Sequence, residues 1–172
     1  MDTYSLLLDV HKNGLKTLLH LLEKVEEHCK EKGMRESVLL EARLAPDMFP
    51  FAKQIQIASD DVRRNLLLLA GKEHIRMEDT EKTVAELKVR IEKTLAIVNE
   101  LTPADFEGSE TRHISLYWMG EQYVEGNDFI PQLAIPNFLF HVTIAYAILR
   151  KEGVAIGKSN FITTLNMKPK AG

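Results

Sequence analysis

At 172 residues, with 45% hydrophobic and 27% charged side chains, the chain fits one domain with a sizeable core and the composition of a soluble globular protein. The formal charge of −3, with lysine and arginine scattered along helices, excludes the footprint of a nucleic-acid-binding surface. A single cysteine, Cys29, excludes an internal disulfide and fits a reducing compartment. The opening "MDTYSLLLDVHKNG" lacks the basic region and cleavage site of a signal peptide, and no apolar run approaches the ~20 residues of a membrane span. A cytoplasmic protein without membrane or nucleic-acid partners is the expectation.

In chain order, apolar residues from Tyr4 recur at Leu7, Leu8, Leu15, Leu18, Leu19, Leu22, Val25 and Cys29, with His11 as the odd member. This stripe predicts a long first helix ending before Gly33. "MRESVLLEAR" predicts a short helix, and "LAPDMFP" interrupts it with Pro46 and Pro50, residues suited to a helix start but not an interior. A second long helix runs from Phe51 and stops at Gly71. A third follows caps in "EDT", with Val84, Leu87, Ile91, Leu95 and Val98 inward, up to Pro103. "RHISLYW" alternates at Ile114, Leu116 and Trp118, "MGEQ" turns and "YVEG" returns, so a small β-hairpin is predicted. The fourth long helix opens near Pro136 and ends at Gly153. The prediction is an all-α four-helix bundle with a hairpin insertion before the last helix, one domain over 1–165 and a flexible tail over 166–172.

Pockets in bundles form where polar side chains of facing helices enter the core. At 100° per residue, Asn137, His141, Ile144 and Ile148 share one line of the last helix, so Asn137 and His141 point inward a turn apart. On the second helix Phe51, Ile55, Ala58, Val62, Leu66 and Leu69 form the buried line, and Gln54, Asp61 and Asn65 fall within its widened arc. Gln56, Asp60 and Arg64 fall on the other side, solvated or at a helix interface. A buried polar group without a partner costs about 2–7 kcal/mol, so inward polar residues on two helices should meet each other, a water or a ligand. The candidate pocket is therefore Gln54, Asp61, Asn137 and His141.

"RLAPDMFPFAKQIQIASDD", "LLAG" and "PNFLFHVTIAYAILRKEGVAIGKSNF" resemble an uncharacterised domain-of-unknown-function family of the DinB/YfiT-like superfamily of four-helix bundles. The resemblance covers Tyr4 to about Phe161. It implies a DinB-like fold, a homodimer, and the ancestry of a three-histidine metal site, with one ligand on the second helix and a His-x-x-x-His pair on the last. That superfamily includes metal-dependent thiol-S-transferases, thiol-dependent isomerases and hydrolases. Here Asn137 falls on the first histidine position of the pair, His141 keeps the second, and Gln54 stands near the position on the second helix. The resemblance thus implies a degenerate metal site with no cofactor, a divalent metal at His141 being the alternative.

Other motifs carry less. "GVAIGKS" has three residues between its glycines where a phosphate loop needs four, and it follows a helix rather than a strand. Asp60 and Asp61 are adjacent and point about 100° apart, which excludes a shared-proton dyad. Arg43 reads as a structural ion pair, His11 as a satisfied core histidine, and His20, His28, His74 and His113 as surface residues. Cys29 reads as an apolar filler. Tyr117, Trp118 and Tyr123 form an aromatic rim, hairpin packing or a dimer face. Two function classes stay open: a small-molecule-binding or structural bundle, and an enzyme that uses a metal or His141 with Asp61.

Overall fold

The computed structural model describes residues 3–170. Its elements are α1 (Thr3–Lys32), α2 (Glu36–Leu40), α3 (Phe51–Leu69), α4 (Val84–Asn99), β1 (His113–Ile114), β2 (Val124–Glu125), α5 (Gly126–Phe129), α6 (Ile135–Lys151) and α7 (Lys158–Phe161). Helix α1 packs on α4 and α6, and α3 packs on the same two, so the four long helices close a ring with α1 and α3 on a diagonal. Two connections must cross the bundle in this order, and they are the two longer ones: α2 with its proline loop, and the segment holding the hairpin. Strands β1 and β2 pair antiparallel, His113 opposite Glu125 and Ile114 opposite Val124.

Local chemistry sets the ends of the helices that carry the candidate residues. Pro50, extended at φ −70° and ψ 166°, precedes α3 and supplies its fixed φ where no helical N–H is needed. Gly71 and Gly153, at φ 65° and 83°, follow α3 and α6 in the left-handed region. There the N–H of Lys72 reaches Leu67 O at 2.8 Å and that of Val154 reaches Leu149 O at 3.0 Å, closing both helices in Schellman fashion. Helix α4 starts later than the sequence reading placed it. Thr83 and Glu86 form a capping box, while Glu78–Thr80 belong to an extended connection.

Two further differences concern the last helix and the hairpin. The last helix begins at Gly126 rather than Pro136, because α5 runs through a π-turn, Ile130–Ala134, into α6. Pro131 and Pro136 explain the widened turn: each lacks an N–H, and a proline ring clashes with the carbonyl four residues back in a regular α-helix. The joined helix, Gly126–Lys151, has 26 residues and a mean hydropathy of 1.5 in its most apolar window, long and apolar enough by length and composition to cross a membrane. This corrects the sequence expectation that no run approaches a membrane span, since no Asp, Glu, Lys or Arg stands between Asp128 and Arg150. Its inner face, including Phe138, Val142, Ala145 and Ile148, is core. In the hairpin Ile114 and Leu116 are buried as the alternation predicts, but Trp118 is 59% exposed because the strand ends at Ile114.

Two features of the core could not be read from an apolar stripe. Gly14 lets α1 cross α6 closely: a Cβ there would stand 2.4 Å from the Phe138 ring. Arg63 and Arg90, 0% and 2% exposed, are buried between α3 and α4. Arg63 Nε donates to Ile75 O at 3.2 Å and Arg90 Nη1 to Glu78 O at 3.0 Å, fastening the extended connection across both helices. Asp60, Asp79 and Glu81 supply the opposite charge. Beyond Phe161 the chain has no regular secondary structure to Lys170, and residues 171–172 of the expected tail lie outside the described residues.

Candidate functional site

Helix α3 turns Gln54 and Asp61 toward α6 because both lie beside its buried line, and they are 2% and 1% exposed. From α6, His141 is 8% exposed and Asn137 is half-buried. The four meet as two pairs rather than one cluster. Gln54 Oε1 stands 2.7 Å from His141 Nδ1, and Asn137 donates its amide to Asp61. Residue numbers rise on one helix as they fall on the other, so α3 and α6 run antiparallel. The pairs are separated by roughly 6–10 Å along the axes, given a rise of 1.5 Å per residue over four or seven residues. They form a polar seam between α3 and α6.

The seam fixes the histidine's tautomer. Gln54 Nε2 donates to Phe49 O at 3.0 Å, which turns Oε1 toward the imidazole. An amide oxygen only accepts, so His141 Nδ1 carries the proton. Burial first, and then the positive charge of Arg64, lowers the His141 pKa to about 4, so the ring is neutral at ordinary pH. Nε2 keeps a bare lone pair. Among the described residues it makes no hydrogen bond and is not a sealed buried atom, so it opens toward solvent.

Asp61 is the other titrating group. Burial pushes its pKa up to about 6, against the opposing pull of Arg64 and Asn137, both of which bond it. Arg64 is a site residue that the sequence reading turned outward. Its i,i+3 spacing from Asp61 was the available signal. Asp61 bonds Asn137 and Arg64 rather than His141, so no Asp–His dyad is assembled. Asp60 points the other way, to Arg63 and Arg90.

The remaining candidates fall into place individually. Gln56, expected away from the core, is 6% exposed and donates to Glu81 at 3.0 Å, because the connection after α3 folds back over that face. Asn65 is buried as expected, yet neither side-chain polar atom has a partner. His11 is core, stacked on Phe138 at 4.8 Å, with Nδ1 on Leu7 O at 2.7 Å and Nε2 unpartnered. Arg43 is exposed and donates to Met48 O instead of joining an ion pair, since its own loop turns back on it. His28 and His74 are half-buried rather than surface residues. His113 stacks on Tyr123 at 3.7 Å, while Tyr117 is 95% exposed, so the hairpin aromatics face outward.

A catalytic metal needs about three good protein ligands plus an open position. Among the described residues, no group of three or more His, Cys, Asp or Glu side chains is placed to hold an ion. At the three positions where the resemblance implies metal ligands, Gln54 and His141 face each other while Asn137 turns to Asp61. Only His141 Nε2 offers a good donor, so the residues present do not fit that metal. Clefts of about 540 Å³ beside Arg90 and about 520 Å³ beside Arg43 are lined by other residues.

Comparison with known proteins gives three results. A family model described as "Domain of unknown function (DUF1993)" matches residues 3–162. The crystal structure of a DinB family member protein from Shewanella denitrificans superposes with a TM-score of 0.92 at 34% identity, covering 97% of each chain. No curated protein matches.

Proposed function

The chain belongs to the family described as a domain of unknown function, DUF1993, and on that premise we propose that its α3–α6 seam is a degenerate DinB-type metal site, kept as a cross-helix tie with one open docking atom for a small molecule. The observation that carries this reading is the pairing of Asn137 with Asp61, away from Gln54 and His141. Amides are weak ligands beside imidazole and carboxylate, and these two are already engaged in hydrogen bonds. What remains is His141 Nε2, a neutral acceptor held by Gln54, suited to a small molecule that donates a hydrogen bond.

The alternative is an enzyme in which the same bare Nε2 takes a proton or binds a divalent metal; its tautomer and orientation, fixed by Gln54, favour it. Metal analysis of protein purified without a chelating tag separates the two, run on wild type and His141→Ala. The degenerate-site reading expects substoichiometric metal in both. Stoichiometric metal that disappears in the variant would establish the alternative.

We extend the proposal to a homodimer in the cytoplasm. Leu139 and Phe140, 37% and 51% exposed, lie on the charge-free outer face of α6 and would be covered by a second copy. Light scattering that gives a monomer mass at micromolar concentration would refute the dimer, and cell fractionation that places the protein with membranes would refute the location.

A further inference from the structure

The C-terminal arm leaves the bundle from a firm anchor. Thr17 Oγ1 donates to Phe161 O at 2.7 Å, the Phe161 ring packs edge-on against Tyr146, and Asn160 bonds His20 at 2.9 Å. Past that anchor Ile162, Leu165 and Met167 are 54%, 69% and 83% exposed. Among the described residues, no hydrogen bond ties residues 163–170 to the bundle; the bond found there is local, from the Met167 N–H to Leu165 O at 3.0 Å. Three large apolar side chains on one short arm are unfavourable in water unless something covers them.

A groove that suits such groups lies at the root of the arm. It holds about 260 Å³ between α1 and α6 and is lined by Val10, Gly14, Leu139 and Val142, with Asn13 and Thr17 as its polar α1 members. Residues 162–164 of the arm form another of its walls. Leu139 also belongs to the outer face of α6, beside Phe140, so the groove runs into the face assigned above to a second copy.

In a single copy the arm lines this groove without filling it, and Leu165 and Met167 stand outside. A second copy carries the same groove beside the same root. Because root and groove share a wall, one two-fold axis near residue 162 brings each arm to the other's groove. From Phe161 to Met167 an extended chain reaches about 20 Å, enough to cross such an axis. Leu165 and Met167, two residues apart in an extended segment, then face the same way, toward apolar walls. We infer that residues 162–170 of one copy lie in the α1–α6 groove of a second, an exchange of arms that ties two bundles together. The inference rests on the homodimer proposed above and names the segment that holds it.

The full-length double variant Leu165→Asp, Met167→Asp tests it, since both side chains are exposed in one copy and their replacement leaves the packing of the bundle intact. Light scattering over a dilution series should give a wild-type dimer and a variant whose dimer dissociation constant is raised at least about 100-fold. A variant that dimerises as tightly as wild type overturns this inference alone; a wild-type monomer overturns the dimer with it. The exchange itself is read by mixing two single variants, Leu139→Cys and Leu165→Cys, under mild oxidation, Cys29 being buried. A disulfide joining one chain of each kind is expected. A disulfide that forms only within a chain carrying both substitutions means that the arm folds back on its own bundle, and overturns the exchange. Wild-type binding to phosphatidylcholine vesicles that is lost in the aspartate variant would assign the arm to a lipid surface and overturn it equally.

Discussion

Asp61→Asn should stabilise the protein at neutral pH, and the gain should vanish in acid. In the folded chain the Asp61 pKa stands at about 6 against an ordinary value of 3.8, chiefly because burial disfavours its charge. A carboxyl whose folded pKa is raised binds its proton more tightly folded than unfolded. Its stabilising contribution is therefore complete below about pH 4 and is lost as pH rises through 6. Two pKa units correspond to about 3 kcal/mol at most. Asparagine keeps the shape, its one oxygen can accept from Arg64 while its amide donates to the carbonyl oxygen of a flipped Asn137, and it carries no charge to desolvate. Urea unfolding of wild type and variant at half-unit steps from pH 4 to 8 isolates this residue, since other carboxylates cancel in the difference. The stability difference should rise in favour of the variant by about 2–3 kcal/mol between pH 4 and pH 7. A flat difference, or a variant progressively weaker toward pH 8, would mean that the Arg64 ion pair outweighs burial.

Other perturbations test the seam and its frame. His141→Ala should cost about 2–4 kcal/mol, because it opens a cavity and strands the buried Gln54 carbonyl oxygen; a double-mutant cycle with Gln54→Ala should give a coupling of about 0.5–3 kcal/mol by chemical denaturation. Gly14→Ala should destabilise by about 1–3 kcal/mol, since the new methyl meets the fully buried Phe138 ring, and a calorimetric scan reads this directly. Arg90→Met leaves the largely buried Glu81 with only the Gln56 amide, while Asp60 keeps Arg63 and Asp79 keeps Lys53, so a loss of about 1–3 kcal/mol is expected, with faster proteolysis between residues 72 and 83.

The long helices were legible because burial follows a 3.6-residue period: every residue assigned to the buried line of α3 is 0% exposed. The same wheel brought Gln54 and Asp61 inward with Asn137 and His141. It could not say who pairs with whom, because partner choice depends on the stagger of two helices, which no single helix encodes. Arg63 and Arg90 escaped notice for another reason. Periodicity assigns charge to solvent, whereas these guanidiniums are buried by a connection that arrives from elsewhere in the chain and brings its own carboxylates. The π-turn left one trace, Pro131 and Pro136 in a charge-free stretch, and Pro136 also suggested a helix start where the helix in fact continues.

The most direct test is calorimetric titration of Zn²⁺ into tag-free wild-type protein, with His141→Ala alongside. The account predicts no stoichiometric, tight binding by wild type and no difference between the two, because one imidazole and two engaged amides do not make a metal site. One ion bound per chain at nanomolar affinity, lost on replacing His141, would contradict it.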